Sequence, residues 1–349
     1  MHQNHRREGR FKKLESLTPR LIRLSTEAVI TKTFLDPDSE FGLIIEPNVE
    51  GLDLVSWTRG NVGLMQDLLL RHGAILFRKF NVSGVAQFEQ WVRTISPQLL
   101  DYRERAAPRA EVGRNVYTST EYPADQVIPL HHEMSYSHNW PTKIWFFCLQ
   151  PAQSGGCTPI ADDRKVFSRI PATIKETFMR KKVMYVRNYG EWIDLPWQEA
   201  FGTAARSEVE AYCQQAKTEF EWRDRNGLRT RQVRQAVATH PKTGETVWFN
   251  HAHMFHVSNL EPAVRDLLLR EFAEDDLPRN AFYGDGTPIE DSVLEEIRGI
   301  YDEAAITFPW QQGDVMMLDN FLVSHGREPY TGPRKVLVSM AELFTNKEL

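Results

Sequence analysis

The chain has 349 residues, 41% hydrophobic and 11% aromatic, with a formal net charge of −5. That is enough apolar material for a buried core and too little charge imbalance for a disordered chain. No run of about 18 apolar residues occurs, which excludes a transmembrane helix, and the N-terminus lacks the apolar core of a secretory signal.

In chain order, the first feature is a basic tail within residues 1–30, carrying His5, Arg6, Arg7, Arg10, Lys12, Lys13, Arg20 and Arg23. It reads as a frayed, solvated terminus. Elsewhere basic residues are dispersed, so neither nucleic acid nor a membrane surface is an expected partner. Helical periodicity follows at residues 59–72 and 85–95, around a strand-like run at 73–80. Apolar or alternating runs at 143–149, 232–239, 246–249, 314–318 and 334–340 read as strands. Helices are predicted at 207–216, 262–273 and 290–301. The first of these has a capping-box start, with Ser207 and Glu210 three residues apart. Between two strands, His240-Pro-Lys-Thr-Gly-Glu245 has the proline-early, glycine-late composition of a tight turn. There are three cysteines, Cys148, Cys157 and Cys213, at scattered spacing. They argue against a disulfide framework and for a reducing, cytoplasmic setting. Many short strands with helical insertions predict a mainly β fold with a jelly-roll core, one domain over residues 31–349. The insertions fall near residues 190–230 and 257–300, where they could form a lid.

Chemistry concentrates around His131-His132-Glu133, at the end of a strand-like run. Residues i and i+2 of a strand share a face, so His131 and Glu133 can bind one metal while His132 points away. His325, distant in sequence, supplies a third ligand. Two imidazoles and one carboxylate hold iron(II) on one face and leave three positions open. Arg334, nine residues on, suits a bound carboxylate because it stays charged and grips both oxygens. An isolated H-x-E triplet means little; the joint arrangement carries the reading. A rival cluster, His251-Ala-His-Met-Phe-His256, lacks a carboxylate or cysteine and fits no zinc spacing. Its side chains are expected to line a pocket or cap a helix. Gly155-Gly156 reads as a turn rather than a phosphate cradle.

Four motifs together resemble the TauD/TfdA (taurine dioxygenase-like) 2-oxoglutarate-dependent oxygenases. They are Leu130-His-His-Glu-Met-Ser-Tyr136, Gly155-Gly-Cys-Thr-Pro-Ile-Ala-Asp162, His240-Pro-Lys-Thr-Gly-Glu…Asn250 and Gly313-Asp-Val-Met-Met-Leu-Asp-Asn320…His325…Arg334. The flanks 116–123 and 145–148 look closer to the SyrP-like (syringomycin-type aspartyl hydroxylase) branch. The resemblance implies a double-stranded β-helix of cupin type, with iron(II) held by His131, Glu133 and His325. It also implies 2-oxoglutarate bound through Arg334 with help from Thr158, and O2 as the oxidant. Glu133 departs from the Asp of most of the family, and Val338 stands where taurine dioxygenase has a substrate-binding arginine. A sulfonate substrate is therefore not expected, and the retained carboxylate argues against the related halogenases.

The implied activity is hydroxylation of an amino acid or amino-acid-derived molecule, free or tethered to a carrier protein, in secondary metabolism such as antibiotic biosynthesis. The same centre can also desaturate, cyclise or epoxidise. A non-catalytic, cupin-like binding protein is the alternative of another class. Substrate contacts are expected among Thr120, Glu121, Ser135, Arg187, Asn250 and His251.

Overall fold

The computed structural model describes residues 26–101, 104, 109–119, 122–190 and 194–347. The basic side chains of the N-terminal tail, and the candidates Thr120 and Glu121, lie outside the described residues. The expected tail boundary at residue 30 overlaps a helical turn, Thr26–Val29, and the start of the first strand, Ile30–Asp36.

The sequence runs with apolar side chains in both alternation phases are the central strands of an eight-stranded sheet. Its order is Ile30–Asp36, Phe41–Pro47, Ala74–Phe77, Val315–Asp319, Asn139–Gln150, Lys335–Thr345, Val116–Thr118 and Glu111–Gly113. The pairing is antiparallel except between Phe41–Pro47 and Ala74–Phe77. Both faces of this sheet are covered, which is why its strands are apolar on both sides. Trp145, Phe147, Val315 and Met317 pack against Phe88, Trp91 and Val92 of the helix Val85–Ile95. Ile144, Phe146, Cys148, Met316, Leu318, Val336 and Val338 face the opposite way, toward Ile160, Val323 and Phe249.

Those last residues belong to the opposing layer. A three-stranded sheet, Ile128–His131 beside Val323–Arg327 beside Ile160–Asp162, closes the second side of the jelly roll. The expected hairpin turn is present: His240 N donates to Glu245 O, Gly244 N donates to His240 O, and Gly244 has φ 74°. His240 Nε2 lies 3.2 Å from Asp319 Oδ2, tying the turn to the end of a central strand.

The structure departs from the sequence reading in three places. The inserted segments are not only helical. Val183–Tyr189, Glu219–Arg223, Gly227–Arg234 and Arg279–Tyr283 form a separate four-stranded antiparallel sheet, whose inner strands are buried along most of their length while the edge strand Glu219–Arg223 alternates with solvent. The capping box is absent. The helix begins at Arg206, one residue early, so Ser207 lies inside it and Glu210 instead accepts from Trp222 Nε1 at 2.7 Å. The helix expected at 59–72 is Val62–His72, and a separate helix that the sequence reading did not give, Leu54–Arg59, precedes it, capped by Asp53 accepting from Ser56 N. All three cysteines are free.

Phe147 is fully buried and stacks on Phe88, ring centroids 5.2 Å apart. Phe147→Ala is expected to lower the unfolding free energy by about 3–5 kcal/mol, read from urea denaturation.

Candidate metal centre and its two pockets

His131 is the last residue of its strand and pairs directly with His325 in the neighbouring strand. Their rings lie 4.7 Å apart. Just beyond this pair the strands approach so closely that a Cβ on Gly326 would lie 2.6 Å from the carbonyl oxygen of Ile128. Only glycine fits there. Glu133 reaches the same spot by a different route from the one its spacing suggests. It lies in a turn after the strand, not on the strand's face. Its backbone is clamped by Asn320, whose Oδ1 accepts from Glu133 N (2.8 Å) and whose Nδ2 donates to Glu133 O (2.9 Å).

His131, Glu133 and His325 then offer ligand atoms within 4.8 Å of one another, the one such group among the described residues. Burial holds both imidazoles below their ordinary pKa, so they are neutral, as a metal ligand must be. His131 Nδ1 lies 2.8 Å from the Pro129 carbonyl. That contact places the proton on Nδ1 and leaves Nε2 its lone pair. No hydrogen bond to the His325 ring is present among the described residues, and its Nδ1 is buried without a partner. The residues fit a 2-His-1-carboxylate metal.

His132 points away, as its alternation predicts, and meets Asp163 at 3.3 Å. Asp163 is wholly buried. Its Oδ2 accepts from Ser324 N at 2.6 Å and its Oδ1 from Tyr301 Oη at 3.0 Å. One carboxylate thus holds the neighbour of His131 and the neighbour of His325. Partners of this kind orient metal ligands as strongly as the strands that carry them.

Two pockets meet at this cluster. The narrow one is lined by Ser119, Phe146, Thr158, Arg327 and Arg334 beside His131 and His325. Gly155 and Gly156 both have positive φ, and a Cβ on Gly156 would lie 3.0 Å from Arg334 Cδ. The glycine turn thereby makes room for the guanidinium, whose Nε donates to Gly156 O at 2.9 Å. Neither Arg334 nor Arg327 has a carboxylate within ion-pair distance among the described residues. Burial, with Arg327 nearby, pushes the Arg334 pKa down to about 10. This pocket is short of an anion. Thr158 Oγ1 accepts from Trp310 Nε1 at 2.9 Å and lies 3.4 Å from Arg334. With its acceptor positions used, the hydroxyl has its proton to donate.

The second cavity, about 940 Å³, opens on the other side of His131 and Glu133. Tyr136, His251, Met254, Phe255, Leu277, Arg279, Arg298 and Tyr301 contribute to its walls, so the insertion at 257–300 forms much of its boundary. His251, His253 and His256 line this cavity and bind no metal-type partner set; His256 also caps a 3-10 turn through Ser258 N. The other substrate candidates among the described residues do not line it. Ser135 is turned to His251 Nδ1. Asn250 bonds Ala236 O and caps the helix Ala252–Phe255. Arg187 is fully buried behind the wall, over the Tyr189 ring and 3.7 Å from Asp194. Arg109, Asp163 and Trp310 border the site and were not singled out by spacing: Arg109 and Trp310 lie outside the quoted motifs, and Asp163 lies one residue past the motif that ends at Asp162. Asn320 stood inside a quoted motif with no role attached.

Known proteins share this arrangement of sequence. The family model "Taurine catabolism dioxygenase TauD, TfdA family" matches residues 37–340. The dapdiamide synthesis protein DdaC of Enterobacter agglomerans is 43% identical over 278 residues, covering 80% of this chain and 84% of that protein. A clavaminate synthase-like protein of Arabidopsis thaliana is 31% identical over 289 residues, with the same coverage of 80% and 84%. Among solved structures, PvcB from Pseudomonas aeruginosa superposes with a TM-score of 0.57 at 15% identity, covering 94% of this chain and 98% of PvcB. That likeness shows a shared fold.

Asp163→Asn puts an amide donor against the Ser324 N–H or the Tyr301 hydroxyl. It is expected to weaken Mn(II) binding by about 10–100-fold, measured by electron paramagnetic resonance titration. A second expectation concerns pH. Burial pushes His256 down to about 4 and His253 to about 3. Below the unfolded value of about 6.5, the unfolded chain takes protons that the folded chain refuses. Tm should therefore fall as pH drops from about 6.5 toward about 4. His256→Asn keeps an acceptor at the cap and should make that fall shallower.

Proposed function

The chain belongs to the TauD/TfdA family of iron(II)/2-oxoglutarate-dependent dioxygenases, and from that premise we propose that it hydroxylates an amino-acid-derived small molecule in secondary metabolism. The observation that carries the reading is the placement of the His131, Glu133 and His325 cluster at the junction of an anion-seeking pocket and a large cavity. In this reading those three residues hold iron(II). Arg334 grips the distal carboxylate of 2-oxoglutarate, and Thr158 donates its hydroxyl proton to the same group. The metal, once bound with its co-substrate, supplies the activation of O2; the chain supplies orientation and exclusion of water.

The substrate side rests on two supports. The relative at 43% identity is a dapdiamide synthesis protein, and the cavity mixes apolar walls with paired charges. Tyr136, Met254, Phe255 and Leu277 provide the apolar surface. Arg279, held by Asp194 at 2.7 and 2.8 Å, provides a fixed polar feature at one wall. A cavity of about 940 Å³ is large for a free amino acid and accommodates an extended substrate, including one delivered on a carrier protein. Val338 is buried in the sheet, which supports the absence of a sulfonate-binding arginine there. Desaturation, cyclisation and epoxidation use the same centre and differ only in how the substrate is placed. A purely binding role is disfavoured by family membership. No helix among the described residues is long and apolar enough to cross a membrane, in keeping with the proposed cytoplasmic setting.

Anaerobic addition of iron(II) and 2-oxoglutarate is expected to give a weak charge-transfer band in the visible spectrum, absent from His325→Ala. No band in the iron-loaded wild type removes the proposed centre. Product mass then reads the outcome. Loss of two hydrogens means desaturation or cyclisation, and gain of one oxygen leaves hydroxylation or epoxidation, which NMR separates.

A further inference from the structure

Arg109 belongs to no sequence motif, yet it lines both the narrow pocket and the large cavity. Its guanidinium lies 2.7 Å from Oε2 of Glu133, with the two side chains only 5% and 4% exposed. Bonds of this kind are the strong, short, charge-assisted class. The pair is enclosed, so neither partner can trade it for water.

The length of Glu133 explains why such a partner is needed. A glutamate has one more rotatable bond than an aspartate, and with it the freedom to turn both oxygens toward one cation. Asn320 fixes only the Glu133 backbone, through its N–H and its carbonyl. The carboxylate end is set by Arg109.

Coordination arithmetic gives that restraint a consequence. Two imidazoles and a carboxylate bound through one oxygen leave three positions open. A 2-oxo acid chelate takes two and O2 takes the third. A carboxylate bound through both oxygens removes one of the three. We propose that Arg109 is a positioning residue that occupies Oε2 of Glu133, keeping it a one-oxygen ligand so that co-substrate and O2 both find places. The inference rests on the metal centre proposed above and adds to it the reason a glutamate works there.

The experiment uses the full chain with iron(II) and 2-oxoglutarate as probes, each titrated anaerobically and read by the visible charge-transfer band, with Mn(II) binding read by electron paramagnetic resonance. Arg109→Met is expected to leave Mn(II) affinity within about threefold, or to tighten it, while raising the 2-oxoglutarate dissociation constant about tenfold or more. Arg109→Lys, which keeps a donor for Oε2, is expected to recover most of that loss. The decisive variant combines Arg109→Met with Glu133→Asp. The shorter carboxylate lacks the reach that Arg109 restrains, so the arginine's removal should matter less than about threefold in that background, a coupling that a double-mutant cycle reports.

Equal losses from Arg109→Met with and without the Glu133→Asp substitution would mean that Arg109 meets 2-oxoglutarate directly, and would overturn the proposal. So would an Arg109→Met protein with unchanged 2-oxoglutarate affinity. If Arg109→Met does not fold by thermal melt, Arg109→Leu, which likewise has no donor for Oε2, carries the same comparison. A wild type that binds neither Mn(II) nor iron(II) overturns the metal centre and this inference together, whereas metal binding with no effect of Arg109 overturns this inference alone.

Discussion

The site depends on one strand pairing. His325 stands opposite His131 in an antiparallel register, and a shift of one residue would turn both rings to opposite faces of the sheet. Several independent contacts defend that register. Gly326 allows the two backbones to meet where any side chain would collide with Ile128 O. Asp163 ties Ser324 to His132 from behind. Asn320 bridges Glu133 and Pro141, fastening the turn that carries the carboxylate to the central sheet. The Asp163–Ser324 and Asn320 contacts are buried hydrogen bonds with both partners in place, the condition under which low dielectric strengthens rather than penalises them.

Charge inside the site follows a different rule. In most protein interiors a buried cation is paired. Arg334 and Arg327 instead lie close together in the narrow pocket, and their nearest polar contacts are neutral oxygens. Arg327 donates to the carbonyls of Tyr122, Pro123 and Gln126, and Arg334 to the carbonyl of Gly156. Burial and mutual repulsion lower the Arg334 pKa, so an anion entering this pocket would offset the cost of burying two cations side by side. Preorganisation of this kind lets binding be selective for a ligand with a carboxylate at the right reach. The Arg327 contacts also hold the segment 122–126, of which Tyr122, Asp125 and Gln126 line the large cavity.

The insertions give the general scaffold its individual character. The jelly roll positions the ligand cluster and the anion pocket, features expected of the whole family. The large cavity starts from the same strand end, Ile128–His131, and takes its remaining walls from the inserted segments: Arg279 of the four-stranded sheet, the helix Asp291–Ala304 with Arg298 and Tyr301, and the histidine-rich turn at 251–256. Tyr301 touches both systems, facing the cavity while donating to Asp163. Under the proposed function, the inserted segments are where substrate preference would be set.

The sequence alone determined the four inner strands of the eight-stranded sheet and the hairpin turn at 240–245, and it named the residues of the candidate ligand cluster and the arginine of the narrow pocket. These are local signals: apolar runs, a proline and glycine turn, and residue types with few other uses in combination. Tertiary structure decided the rest. Glu133 reaches the cluster through a turn clamped by Asn320, and Ser207 and Glu210 do not cap their helix because it starts one residue earlier. Ser135 and Asn250, inside the motifs, and Arg187, outside them, serve the wall rather than the cavity. Arg109 enters from an unmarked segment, and Asp163 from one residue past a motif. The reason is physical. Periodicity reports which side of an element is buried, whereas a hydrogen bond between residues far apart in sequence exists only once the sheets have closed and brought both partners out of water.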